Sequence, residues 1–334
     1  MRSARAALFL YVLAPVCGEL LSGSTPLRTF VNPLVFLYLS GLYGGGALLV
    51  REIVRRRGLG WRAVLLLGAA YGVLEEGLVV TSWFNPYWPD AASLRAYGRA
   101  LDLNWLWALH LTLFHAVLSI AAPIVVAESL FPAIADRPWL GDRALRFVTI
   151  WLGIVSVAGL FGFGFVAFRD QGYMHPPAAY LLALAAAFAL VRLALRQPRA
   201  AAPRTAGVPS LWGLRLFGFA ATAAGFAIAW VGPAVVPVAA VTMAALAGVA
   251  VAALLAVGRW ASSETWSQPQ RLALASGAIG FLIALAPLVE LGGNPTGKDQ
   301  SGHTLVALAT VIGLVLLSRR PTSHEPAAVE VSPA

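Results

Sequence analysis

The chain of 334 residues is 59% hydrophobic and only 12% charged, with a formal net charge of +9 and one cysteine. Mean hydropathy is +0.76. A soluble domain carries roughly 25% charged residues, so these values exclude a large water-soluble core. The single Cys17 excludes an intrachain disulfide framework and a cysteine-based zinc site. The arginines fall between apolar runs, so membrane topology explains the positive balance and no nucleic-acid partner is expected.

Taken in order, apolar runs long enough to cross the hydrocarbon fall at about 6–22, 31–50, 61–82, 104–130, 146–168, 176–195, 211–231, 234–257, 272–291 and 303–318. Only helices satisfy every backbone group in such an open chain. The expected fold is therefore an all-α polytopic transmembrane helix bundle of about ten spans. Nineteen of the 24 Lys and Arg residues fall at the two ends or on alternate connections, which places both termini in the cytoplasm by the positive-inside rule. The first span has a basic start and an apolar core, but no small-x-small site follows, so it reads as retained rather than cleaved.

Residues 192–210, rich in Pro, Ala and Arg, read as a cytoplasmic linker. They separate a motif-bearing part of six spans, 1–191, from an Ala-rich part of four spans, 211–318. Residues 319–334 have the composition of a disordered tail. The expected surroundings are the lipid bilayer of the cell membrane.

Ionisable groups at bilayer depth are costly and mark candidate sites. Glu75 and Glu76 lie near the outward end of the third span, roughly 10 Å below the surface at 1.5 Å per residue. His110 and His115 enter the fourth span from the same side. Glu19 and Glu290 end the first and ninth spans there, and His175 and His303 open the sixth and tenth. Glu128, near the opposite end of the fourth span, reads as interfacial. The loop from Trp83 through Asn85 to Pro89 reads as an aromatic belt or a lid over a pocket. Arg95 and Arg99, four apart, read as a solvated helix face or a lipid-phosphate contact. The run Gly44–Gly45–Gly46 reads as a close helix contact.

An acid in apolar surroundings beside a histidine can activate water, carry protons or bind a cation. Neighbouring helical positions point about 100° apart, so Glu75 and Glu76 are not expected to face one site equally. His110 and His115 are five apart and do not share a face as an i, i+4 metal pair does. No metal site and no cofactor are expected.

The order of these residues resembles the CAAX-protease and bacteriocin-processing family of intramembrane glutamate proteases. Its motifs are Glu-Glu-x-x-x-Arg and Phe-x-x-x-His. This sequence has Glu75-Glu76-Gly77-Leu78-Val79-Val80 and Leu111-Thr112-Leu113-Phe114-His115, with Val80 at the arginine position and Leu111 at the phenylalanine position. The resemblance, over about residues 71–115, implies Glu75 as the water-activating residue, Glu76 as its partner and His115 as a catalytic histidine. The expected function is a membrane-embedded, metal-independent hydrolase built on Glu75, Glu76, His110 and His115. Its substrate would be a peptide or lipid entering an outward-facing pocket lined by Glu19, Glu290, Trp83, Asn85, Arg95 and Arg99. A proton- or ion-coupled transporter using the same acids is the alternative, and a structural subunit of a membrane complex is the third.

Overall fold

The computed structural model describes residues 1–174, 176–197, 207–292 and 297–320. Ten long helices follow the chain order expected from hydropathy: α1 (Arg2–Leu20), α2 (Pro33–Arg57), α3 (61–79), α4 (Trp105–Leu130), α5 (Asp142–Gln171), α6 (Pro177–Leu195), α7 (Leu211–Trp230), α8 (Ala239–Trp260), α9 (Gln268–Gly292) and α10 (His303–Ser318). Eight of these are long and apolar enough to cross a membrane; α3 carries Arg62, Glu75 and Glu76, and α10 has only 16 residues. The all-α polytopic bundle is thus present. His175, residues 198–206 of the 192–210 linker and the tail beyond Arg320 lie outside the described residues.

Local chemistry sets the helix ends. The Asn32 side chain accepts from the amides of Leu34 and Val35 at 3.0 and 3.4 Å, and Pro33 opens α2. Such capping satisfies donors that have no intrahelical partner. Gly58 ends α2 with φ of +63°, a left-handed conformation open to glycine. Asn104 caps α4 through the Trp107 amide at 3.0 Å.

Burial ranks the helices by position. In the most apolar window of α4, 78% of residues are buried, against 22% for α5, 17% for α6 and 11% for each of α7 and α8. Helix α4 is therefore the hub, and the apolar faces of α5 to α8 point outward, as a bilayer requires. One apolar cluster joins α1, α2, α3 and α5 to α4; a second joins α4 to α6, α7 and α9. Helices α7 and α9 meet backbone to backbone, with Gly277 against the Arg215 carbonyl and Gly218 against that of Leu274. A methyl at Gly277 has no room without moving α7. Gly277→Ala is expected to cost about 1–3 kcal/mol by overpacking, read as an earlier thermal unfolding midpoint in detergent.

The arginine-rich end of α2 and α4 holds a buried ion cluster. Arg51 is 1% exposed, and its Nε donates to Glu128 Oε1 at 3.1 Å. Its Nη1 donates to Glu52 at 3.2 Å, and Nη2 to the carbonyls of Ala135 and Arg137 at 2.7 and 3.1 Å. The Trp139 ring stacks on the guanidinium at 3.3 Å. Arg55 adds two bonds to Glu128 at 2.9 and 2.6 Å. Glu128, expected at the helix end near the interface, is buried in this ion cluster: a buried carboxylate is tolerated here because two guanidiniums neutralise and hydrogen-bond it.

Candidate functional site

Each of the first four long helices contains a π-helical turn: Val16–Leu20 in α1, Ser40–Gly44 in α2, Val73–Val79 in α3 and His115–Ala121 in α4. Glu19, Tyr43, the Glu75/Glu76 pair and His115 each lie in one of these turns. Such turns are rare and concentrate at functional sites. Here all four converge on one buried polar group inside an apolar bundle.

His115, 1% exposed, is its centre. Its Nε2 lies 3.1 Å from Glu75 Oε2 and 3.2 Å from Glu76 Oε1. The contact with Glu75 has the distance of a hydrogen bond but not its angles, since Glu75 Oε2 has no hydrogen-bond partner among the described residues. Both acids thus meet one imidazole, contrary to the expectation from helical phase. The physical reason is that the ring sits between them and each glutamate reaches it along its own flexible side chain.

The other carboxylate oxygens are held from outside the triad. Tyr43 Oη lies 3.1 Å from Glu75 Oε1 and 2.6 Å from Glu19 Oε1, so one hydroxyl bridges two acids. Thr25 donates to Glu19 Oε2 at 2.5 Å. Ser82 donates to Glu76 Oε2 in a very short bond, and Trp107 Nε1 donates to Ser82 at 3.0 Å. The rings of Tyr43 and Tyr71 lie with centroids 5.8 Å from that of His115. The Tyr71 hydroxyl, His115 Nδ1, Ser40 Oγ and Ser119 Oγ are buried without a hydrogen-bond partner among the described residues.

Close packing fixes this geometry. A Cβ at Gly72 would lie 2.9 Å from the Cβ of His115, and one at Gly46 would overlap the Tyr71 ring. The glycine run of α2 therefore serves the close contact expected of it, and one of its members makes room for a site aromatic.

The remaining expected residues are distributed differently. His110 points away from the acids: Trp230 Nε1 of α7 donates to its Nε2 at 3.3 Å, and the Phe226 ring packs edge-on at 4.9 Å. Its link to the acids is indirect, through Trp107, whose ring centroid is 6.0 Å away. The offset of five residues along α4 turns the two histidines to different neighbours. Glu290 accepts the amides of Gly302 and Thr304, both at 2.8 Å, and so caps α10 instead of lining a pocket with Glu19. Asn85 is buried and binds Gln171 at 2.8 Å.

Trp83, also buried, packs 3.1 Å from the position of a Cβ on Gly77, on the flank of the acid pair. Of the aromatic loop, Trp83 and Phe84 are inside and Tyr87 is 46% exposed, so the belt reading fits only its tip. Arg95 stacks over Tyr87 at 5.2 Å. Arg99 donates to the carbonyls of Arg95, Phe84 and Asp102 at 2.9–3.0 Å, which fastens the loop from within. Partial burial lowers the Arg99 pKa from its ordinary value. Its companion turn, Leu101–Asp102, has two positive φ values of 54° and 59° between paired residues Ala100 and Leu103, the form of a tight two-residue hairpin turn.

Tyr43, Tyr71, Ser82 and Trp107 were not legible as site residues. Tyrosine and serine in apolar runs give no periodic signal; the only hint is the small residue opposite each ring, Gly18 for Tyr43 and Gly46 for Tyr71. No metal site was expected, because His110 and His115 do not share a helix face. One atom each from Glu75, Glu76 and His115 nonetheless lie within 4.8 Å of one another.

Among known proteins, the chain is similar to an uncharacterized protein of Archaeoglobus fulgidus, 24% identical over 188 residues. That stretch is 54% of each protein, so the chain spans about half the length of this relative. No solved structure matches the chain. The model of an uncharacterized membrane protein family matches residues 8–324, through all ten helices, and the chain belongs to that family.

Proposed function

We propose that the protein is a membrane-embedded hydrolase in which the Glu75/Glu76 pair activates water and His115 exchanges the proton. The observation that carries this reading is the convergence of two buried carboxylates on one imidazole nitrogen, at 3.1 and 3.2 Å. A carboxylate held beside an imidazole in a dry setting can take a proton from water and pass it to a leaving group. The resemblance of Glu75-Glu76 and of His115 in the next helix to the intramembrane glutamate proteases supports the same roles. The substrate in this reading is a peptide or lipid. The arginine-rich helix ends face the cytoplasm of the cell membrane in this reading, with both termini inside and the site near the outer face.

The test is hydrolysis of a library of labelled membrane peptides and acyl lipids by the purified protein in nanodiscs. Glu75→Gln and Glu76→Gln are each expected to lower turnover by about a hundredfold or more, with His110→Ala close to wild type. Turnover that survives both glutamine substitutions sinks the reading.

A second reading, a proton-coupled carrier, is favoured by one observation. The path Thr25–Glu19–Tyr43–Glu75 is a continuous hydrogen-bonded chain from the loop after α1 to the buried pair. Proton uptake into proteoliposomes that Tyr43→Phe abolishes would favour it over the hydrolase.

A further inference from the structure

We infer that Glu75, Glu76 and His115 together bind one divalent transition-metal cation of the zinc class. The inference rests on the same three side chains as the hydrolase reading but not on hydrolysis itself, and a cation on His115 Nε2 would take the place of proton exchange at that atom.

Three observations point to a cation at this place. The first is geometric. His115 Nε2 makes a hydrogen bond with Glu76 Oε1 at 3.2 Å, but its 3.1 Å contact with Glu75 Oε2 lacks hydrogen-bond angles. Tetrahedral zinc ligands, each about 2.0–2.1 Å from the ion, stand roughly 3.3 Å apart. Glu75 Oε2, 3% exposed as a side chain and aimed at Nε2, makes no hydrogen bond among the described residues. Its position matches one ligand vertex beside another.

The second is the outer ring of bonds. Glu75 and Glu76 each turn one oxygen toward Nε2 and offer the other to a hydroxyl, Tyr43 for Glu75 and Ser82 for Glu76. Trp107 then orients Ser82. Ligating carboxylates are held by such outer partners, which fix which oxygen faces the metal.

The third is charge. With both carboxylates ionised and the imidazole neutral, the state that cation binding requires, the group carries two negative charges in an apolar bundle, a costly burial without compensation. A divalent cation brings that group to neutrality. One nitrogen and two carboxylate oxygens suit zinc or a neighbouring first-row ion, while calcium and magnesium prefer shells made of oxygen alone. Three protein ligands would leave a fourth position for water or substrate, the pattern of catalytic rather than structural zinc.

The test uses the full chain without a histidine tag, in detergent, stripped with a chelator and titrated with Zn²⁺ by calorimetry. Co²⁺ absorption reports the coordination geometry. The expected result is one equivalent bound, with a tetrahedral Co²⁺ spectrum. Binding is expected to weaken more than a hundredfold in Glu76→Gln and His115→Ala, and about tenfold to a hundredfold in Ser82→Ala, as for other outer partners.

Ser82→Ala keeps every ligand, so its effect is readable even if a ligand variant fails to fold. No binding by wild type overturns the inference. So does binding that Glu76→Gln and Ser82→Ala leave unchanged. Zn²⁺ bound by wild type and lost in the variants, without hydrolysis of any substrate, leaves the cation site standing and removes only the hydrolase.

Discussion

Glu128→Ala is expected to cost about 3–5 kcal/mol of stability, the usual loss when one partner of a buried ion pair is removed. The reason is what stays behind. Arg51, 1% exposed, keeps its charge under the Trp139 ring and loses its main counter-ion. Arg55 loses both of its bonds to the same carboxylate. Both arginines lie on α2, so α2 would lose the carboxylate that ties it to α4 at this end. Thermal or denaturant unfolding in detergent, followed by circular dichroism, gives the loss.

A control separates this from mere volume loss. Arg51→Met with Glu128→Met removes both charges, and replacing a buried pair with packed apolar groups is often neutral. The double variant is expected to be more stable than Glu128→Ala alone. Equal stability of the two would mean that the cluster contributes by filling space and not by pairing charge.

The second large effect is expected at the other polar centre. In chelator-treated protein, His115→Ala leaves Glu75 and Glu76, 3% and 9% exposed, facing each other without the imidazole between them. Uncompensated buried charge of this kind costs about 3–5 kcal/mol. Glu75→Gln in the same background removes one of the repelling charges, so the double variant is expected to regain part of the loss. The measurement is a double-mutant cycle on unfolding free energy. Strict additivity of the two substitutions would show that the acids do not sense each other through His115.

Much of this architecture was legible in the chain. Apolar runs mark the ten helices in order, and eight of them are long and apolar enough to cross lipid. The Glu75/Glu76 pair and His115 were legible for the complementary reason, as polar groups where none should be. Three-dimensional partners were not. His110 and His115 look alike in sequence, yet only one meets the acids, because helix rotation decides it. Glu19 and Glu290 share a similar Leu-Ala-Pro setting, yet Glu290 caps α10 while Glu19 reaches Tyr43.

Arg51 was counted with the surface arginines that orient the chain, and its burial against Glu128 depends on a contact 77 positions away. The site tyrosines were hidden because an aromatic residue in an apolar run looks like core, and here it is both.

The π-helical turns carry a consequence for descent. A π turn is an α-helix with one residue too many, so deleting a single residue heals it and rotates everything beyond by roughly 100°. The polar group stands on four such insertions, one per helix. Loss of one residue in any of them would keep a membrane-spanning helix and its hydropathy intact while swinging a key side chain away from the centre. Two chains of this family could therefore share a hydropathy profile and differ in whether they have a site at all. Gaps in an alignment near positions 16–20, 40–44, 73–79 and 115–121 would reveal which do.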